Sequence, residues 1–507
     1  MHKLKRSLHL LALTIFIFMG SQNIFAQAGH SLDLEKIEQN LHIEKNVINI
    51  LEQHQKLHNY LMSYAEYLLF EINAGRILNG EHLNIIKNAL SIYGVSSLGI
   101  YNSIQNHETK LERVSLQLQL TESYFAIFKA YTDDSLLRKV VSDQQEFSLN
   151  NLLSFEELKE ILLSKTALED LEETLKTTSL TNDNKILSET IEKSISYELI
   201  KNDVSLTKYF KVKGHFQDRI NSFVTTITNG LSRAFGTLIG SIEWRTGYLY
   251  QDLDFQALIE SKLKPLDIIF EKKSFKLTDK TIPGNWGHTA VWLGTKEQLV
   301  QLDLWDKQEL APFREKIEKG QSIFEMRKWG TQFDSIENFL NLDEIAITRV
   351  KDIKERSQTD ILKVYQLLAD QFEKTYDFGF DAMATTKITC TEVIMLSYGA
   401  INWPADKVLG RLAITPNNMA EIAVWNNSPV DFVAYFRAKE LHEVQNLSKA
   451  EFAKVLDYRV KPKTSNEFEK INRVCKNKRY RRQGAMRMRL ECHDEFEQIN
   501  YLGPTQF

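Results

Sequence analysis

Residues 285–294 read NWGHTAVWLG. From His288 to Leu293 the run is small, β-branched and aromatic, which is the composition of a buried strand, and Gly294 closes it. Alternation along such a strand puts His288, Ala290 and Trp292 on one face. An ionisable ring at the mouth of an apolar strand is costly unless it is anchored by hydrogen bonds or put to chemical use. The partners offered by the rest of the chain decide between these.

The strongest partner is a cysteine about a hundred residues on. In KITCTEVIMLSYGA, residues 387–400, Thr389-Cys390-Thr391-Glu392 fits the capping box S/T-x-x-E, and Val393, Ile394, Leu396 and Tyr398 continue it as an apolar helix. Cys390 then occupies the first turn, where free backbone N–H groups and the helix dipole stabilise a thiolate. A structural cysteine has no need of that position. A nucleophile needs a base within hydrogen-bond reach and a third group to orient the base. His288 is the base candidate. The next apolar run, Leu299–Leu304, reads as a strand with Gln301 and Asp303 on one face, and either could hold the far imidazole nitrogen.

Around this core the grammar is mixed. Asp267–Phe270, His288–Leu293, Leu299–Leu304 and Ala346–Val350 read as strands, separated by turn residues such as Pro283-Gly284-Asn285, and helical stretches follow around 357–373 and from Cys390. The preceding region, 31–245, is helical by pattern and has no proline. Val47, Ile50, Leu51, Leu57, Leu61, Tyr64 and Leu68 form one apolar face, Asn79-Gly80 breaks the run, and Ser154–Glu157 is a further capping box. Tyr60, Tyr64 and Tyr67 read as packing residues. Residues 220–242 carry one charge, Arg233, with Gly236 and Gly240 spaced as G-x-x-x-G. They read as a buried or interdomain helix, or as a helix lying in a membrane surface.

A chain of 507 residues exceeds one core, and its composition, 43% hydrophobic and 26% charged with net charge −4, is globular with no overall bias toward polyanions. MHKLKR, the apolar LHLLALTIFIFMG and Ala26-Gln27-Ala28 have the layout of a secretory signal peptide, with the mature chain expected from near Gln27 or Gly29 in a periplasm or outside the cell. There is no cysteine before the cleavage region, so no lipid anchor is indicated. In an oxidising compartment Cys475 and Cys492 are the economical disulfide pair, which leaves Cys390 alone. Residues 461–490 hold eleven Lys/Arg against two Glu, a solvated face or a site for an anionic envelope surface; no nucleic-acid site is indicated. The sequence carries no metal or cofactor motif.

Several of these stretches resemble the permuted papain-like amidases of the YiiX/YaeF type, relatives of the NlpC-type cell-wall cysteine peptidases. Leu263–Phe270 resembles their "pGDIlf" opening, His288–Gly294 their H-x-x-x-w-l-G strand, and Tyr376-Asp377-Phe378 ahead of Cys390-Thr391-Glu392 their tyrosine-aspartate and C-S/T-E motifs. Ile414–Asn418 is similar to the downstream "itPddl" segment. Leu266 stands where the family carries glycine. The resemblance spans about 250–440 and implies an α+β, circularly permuted papain-like (NlpC-type) domain preceded by an all-α helical domain. It makes Cys390 the nucleophile, His288 its base and Tyr376 a neighbour of the oxyanion. The family's third residue is commonly a Glu on the strand after the histidine, where this chain offers Gln301 and Asp303. Asp267 reads as a tie for its loop and Glu392 as a cap.

The expected organisation is therefore a signal peptide over 1–28, a helical domain over 31–245, a papain-like cysteine hydrolase domain over 246–440, and a basic extension over 441–507. The expected reaction is acyl transfer on an amide of peptide or peptidoglycan type. The alternatives are an acyltransferase, esterase or thioesterase acting on a lipid substrate, and a non-enzymatic envelope scaffold.

Overall fold

The computed structural model describes residues 46–74, 76, 78–143, 155–180, 184–210, 245–276, 284–351, 358–377, 382, 385, 387–408, 411–482 and 485–503. The expected signal peptide, Ser154 and the 220–242 segment lie outside them. The described residues form two compact units, drawn from 46–76 and 85–210, and from 78–84 and 245–503.

The first unit is helical. Its longest helix, α1 (Val47–Asn73), is capped by the Asn46 side chain and buries the expected face, Val47, Ile50, Leu51, Leu57, Leu61, Tyr64 and Leu68. Tyr64 stacks on both Tyr60 and Tyr67, so these aromatics pack the bundle. Helix α2 (Gly80–Ser103) follows, then α3 (Lys110–Thr132), which opens with a Thr109/Glu112 capping box. Buried residues occur all round α3, from Val114 and Leu118 to Tyr124 and Phe128, as expected of a helix enclosed by others. Leu168, Leu171, Leu175, Ile191, Leu206 and Phe210 from later short helices pack on Val114 and Leu118.

The second unit centres on a seven-stranded sheet in the order β11-β10-β5-β1-β2-β3-β4. Its strands are β1 (Asp267–Lys272), β2 (His288–Trp292), β3 (Ile323–Arg327), β4 (Gly330–Asp334), β5 (Glu344–Val350), β10 (Val430–Ala438) and β11 (Val444–Leu447). Every neighbouring pair is antiparallel. One face carries Ile269, Ala290, Trp292, Ile323, Ile345, Ile347 and Phe436 against Phe255 and Ile259 of helix α4 (Leu253–Lys262). Phe324 belongs to the other face and joins Phe313, Phe333 and Phe372 in an aromatic cluster. There Tyr365, on helix α6 (Gln358–Ala369), donates to the Leu293 carbonyl at 2.7 Å.

The strand expected over Leu299–Leu304 is not there. Thr295 caps helix α5 (Lys296–Gln301) through a capping box with Gln298, and Asp303 follows in a turn at φ +54°. The T-x-x-Q signature behind Gly294 overrides the apolar run, whose Leu299 and Leu304 are buried from a helix and its exit turn instead.

The basic extension is folded and continuous with its surroundings: β11 lies at 444–447 on the main sheet's edge. Strands β12 (Tyr458–Val460), β13 (Phe468–Arg482) and β14 (Ala485–Glu497) form a second, three-stranded sheet. Cys475 and Cys492, directly paired in its ladder, are disulfide-bonded, and Cys390 is free and buried.

Candidate active site

Helix α7 (Cys390–Ser397) begins as its sequence predicts. The Thr389 hydroxyl accepts from the Glu392 N–H at 3.3 Å, and Glu392 accepts from the Thr389 N–H at 2.8 Å. Glu392 is thus a cap. A second tie runs from the Thr391 hydroxyl to the Ile414 carbonyl, 2.7 Å. Residues 78–84 fold against the far end of α7. A Cβ on Gly80 would stand 2.1 Å from the Met395 carbonyl oxygen, and Asn84 donates to the Leu396 carbonyl at 3.2 Å. The helix that carries Cys390 is held at both ends.

β3 pairs with β2 only at Val291↔Phe324 and Trp292↔Ile323, so the first half of β2 is free of the ladder on that side. Cys390 lies beside His288 and Thr289, close enough for both to act on the titration of its thiol. Register also fixes what surrounds the imidazole. Glu271 pairs with His288, and alternation from Trp292↔Ile323 puts Glu325 and Arg327 on the same face.

Glu325 is the carboxylate on His288, its Oε2 2.9 Å from Nε2. Nδ1 is therefore the nitrogen that serves Cys390. The other oxygen of Glu325 accepts from Arg327 Nε at 2.5 Å, and Arg327 reaches Glu271 at 3.2 Å. Lys273 lies 3.5 Å from Glu271. Three buried charges, Glu325, Glu271 and Lys273, and the partly buried Arg327 thus back the imidazole, two of each sign, and charge neutrality is what makes such a cluster tolerable in the interior.

The two expected orienters are displaced. Gln301 ends α5 and Asp303 lies in the turn beyond it, both exposed, whereas His288 is buried. The third polar group comes from one strand further on. Its signal was the glutamate inside Ile323-Phe324-Glu325-Met326, an ionisable residue in an apolar strand just as His288 is.

Burial and the Arg327 guanidinium push the His288 pKa down, but the Cys390 charge, Glu271 and the bond to Cys390 outweigh them and raise it to about 9. Burial pushes the Cys390 thiol up, but the His288 charge and bond and the Thr289 contacts outweigh that and leave it below its ordinary value. These opposite shifts favour the charged thiolate–imidazolium form of the pair over the neutral one.

Tyr376 reaches the site through a two-residue strand. β6 (Thr375–Tyr376) pairs in parallel with β7 (Lys387–Ile388), Tyr376 opposite Ile388, two residues before Cys390. Burial, then the charges of Cys390, Glu392 and Asp377, hold its phenol protonated, well above the ordinary value. It can therefore donate a hydrogen bond but not act as a base.

The loop before β2 is pinned from a distance. Asn417, on helix α8 (Pro416–Glu421), accepts from the Asn285 N–H at 2.8 Å, and Lys272 donates to the Asn285 side chain at 2.5 Å. Gly284, at φ +101°, has Asn417 where a Cβ would go, 2.4 Å from its Cγ. Asp267 ties its loop as expected, bonding Arg349 through both oxygens at 2.6 Å and the Lys264 N–H at 2.8 Å. The preceding Leu266 takes the left-handed conformation that its family glycine would favour, φ +67°, with its side chain buried.

A mixed helix–sheet unit that brings a thiol, an imidazole and a carboxylate together is compatible with a papain-like arrangement. Residues 262–451 match the family model for the permuted papain-like amidase enzymes, YaeF/YiiX, C92 family, the family whose motifs the sequence resembles. No curated protein and no solved structure matches the chain.

Proposed function

We propose that the chain is an exported cysteine amidase acting on an amide of peptide or peptidoglycan type, with Cys390 as nucleophile, His288 as acid and base, and Glu325 holding the imidazole. The observation that carries this reading is the placing of Cys390, His288 and Glu325 together, with the imidazole 2.9 Å from Glu325 and opposite pKa shifts at Cys390 and His288. The signal-peptide layout of the first 28 residues supports the address.

In the first step the Cys390 thiolate attacks the amide carbon, and a C–S bond forms as the carbonyl π pair moves to oxygen. The Cys390 N–H, free of a helical acceptor at the first turn, and the Tyr376 hydroxyl are the donors for that oxyanion. On collapse the C–N bond breaks, and the His288 imidazolium gives its proton to the leaving nitrogen. The neutral imidazole then takes a proton from water, which attacks the thioester. The acid leaves and the thiolate–imidazolium pair is restored. A lipid acyl substrate is the second reading, favoured by the exposed Met488 and Leu490 beside cationic residues.

The test is to incubate the purified chain with cell-wall sacculi and with mixed phospholipids, and to follow products and the Cys390 peptide by mass spectrometry. New amine and carboxylate termini in the sacculus digest, lost in Cys390→Ala and His288→Ala, are expected. A fatty acyl group trapped on Cys390 overturns the amide reading. Turnover that survives both substitutions overturns the mechanism.

A further inference from the structure

We infer that the distal half of the β13–β14 hairpin is a docking element for an anionic lipid surface. The two strands pair without interruption from Lys470↔Glu497 to Arg482↔Ala485, while β12 covers only the base, from Phe468 to Lys470. An isolated two-stranded ribbon is marginal in water. Here the Cys475–Cys492 disulfide, at a directly paired rung, staples it.

That rung also marks a change in charge. Beyond it the two strands hold seven Lys/Arg (Lys476, Lys478, Arg479, Arg481, Arg482, Arg487 and Arg489) and one acid, Glu491, which pairs with Lys476 in the ladder and lies 3.1 Å from the Lys478 ammonium. On the near side they carry Glu469, Asp494, Glu495 and Glu497 beside Lys470 and Arg473. In a chain of net charge −4 the distal end of this ribbon is thus locally cationic.

The ladder makes this costly. Lys478 pairs directly with Arg489, and like charges directly opposite destabilise a ribbon, a cost that Glu491, 3.1 Å from the Lys478 ammonium, offsets only in part. Cations on an exposed edge do discourage strand pairing between molecules, and one or two serve that purpose. Edge protection does not account for opposed cations, nor for apolar residues left uncovered among them. Met488 and Leu490 are 57% and 60% exposed. They alternate along β14 with Arg487 and Arg489, and Arg479 pairs with Met488. A soluble polyanion satisfies the cations alone. By register Arg479 and Arg481 share a ribbon face with Met488 and Leu490, while Arg487 and Arg489 lie on the other face and add to the attraction of the whole end. A bilayer interface takes both chemistries, with phosphates for the arginines and the acyl boundary for the Met and Leu side chains.

The experiment is co-sedimentation of the full chain with vesicles of phosphatidylglycerol and phosphatidylethanolamine, and with neutral phosphatidylcholine vesicles. Binding only to the anionic vesicles is expected, weakening as salt is raised. Arg487→Glu/Arg489→Glu should weaken it by at least thirtyfold or so, since each cation near such a surface contributes on the order of a sixfold gain. Met488→Ser/Leu490→Ser should weaken it several-fold at unchanged charge. Both variants should keep the parent far-ultraviolet spectrum and Cys390 alkylation rate, which separates docking from folding and from the proposed chemistry. Anionic-vesicle binding that survives the charge reversal overturns the inference. So does absence of vesicle binding, or binding to soluble polyphosphate as tight as to vesicles with the Met488/Leu490 variant unaffected.

Discussion

Glu325→Gln tests the site most sharply, because the residue keeps its shape and loses its charge. Its carboxylate bonds His288 at 2.9 Å and Arg327 at 2.5 Å. A buried hydrogen bond to a charged group is worth about 1.5–3 kcal/mol, or roughly one to two pKa units of support for the imidazolium. Arg327, which pushes the imidazolium down, also loses one of the two carboxylates that offset it, so both effects have the same sign. The alkaline limb of kcat/KM, set in the parent by His288 near pH 9, should therefore move down to roughly pH 7–8. The assay is a pH–rate profile on any turned-over amide or, without one, the pH dependence of Cys390 alkylation. Gln301→Ala and Asp303→Ala, on an exposed helix end and turn, serve as controls and should leave the profile in place. An unmoved limb in Glu325→Gln, or an equal shift in either control, would refute the assignment.

The same pair makes stability depend on pH. A histidine raised on folding stabilises the fold fully below its unfolded value near 6.5, and that contribution is lost as pH rises through about 9. Cys390→Ser removes the thiolate that raises His288, so in urea titrations across pH the loss should move to lower pH. Leu266 gives a backbone test: at φ +67° Leu266→Gly should be about 1 kcal/mol more stable than Leu266→Ala, the reverse of the usual order, by urea denaturation. Gly284→Ala places a Cβ 2.4 Å from Asn417 at φ +101°, and should cost on the order of 1–3 kcal/mol of stability by the same assay.

The parts legible in the sequence were those with a local signature. The capping box around Cys390 reads from four adjacent residues, and β2 reads from its β-branched and aromatic run. The apolar face of α1 reads from its 3.6-residue period. Glu325 had a local mark, an acid inside an apolar run, but nothing local tied it to His288, because which strand neighbours β2 is a long-range fact. Leu299–Leu304 has strand composition but follows a T-x-x-Q box, the same kind of signal that located Cys390, and that box makes it a helix. The sequence therefore continues through α5 and a further helix before β3 returns to β2 and delivers Glu325. The Glu271–Arg327 buttress was illegible for the same reason: its members lie on strands that meet His288 from opposite sides. In the C-terminal region the charge was visible, but the ladder that segregates it was not.

The central claim is that Cys390 is a thiolate paired with a protonated His288 at neutral pH. Thiolate absorbance near 240 nm, taken as the difference between the parent and Cys390→Ser across a pH titration, measures it directly. Absorbance already present at pH 7, and its loss there in His288→Ala, is the expected result. A difference spectrum that rises only near the ordinary thiol value of about 8.5, unchanged by His288→Ala, would contradict it.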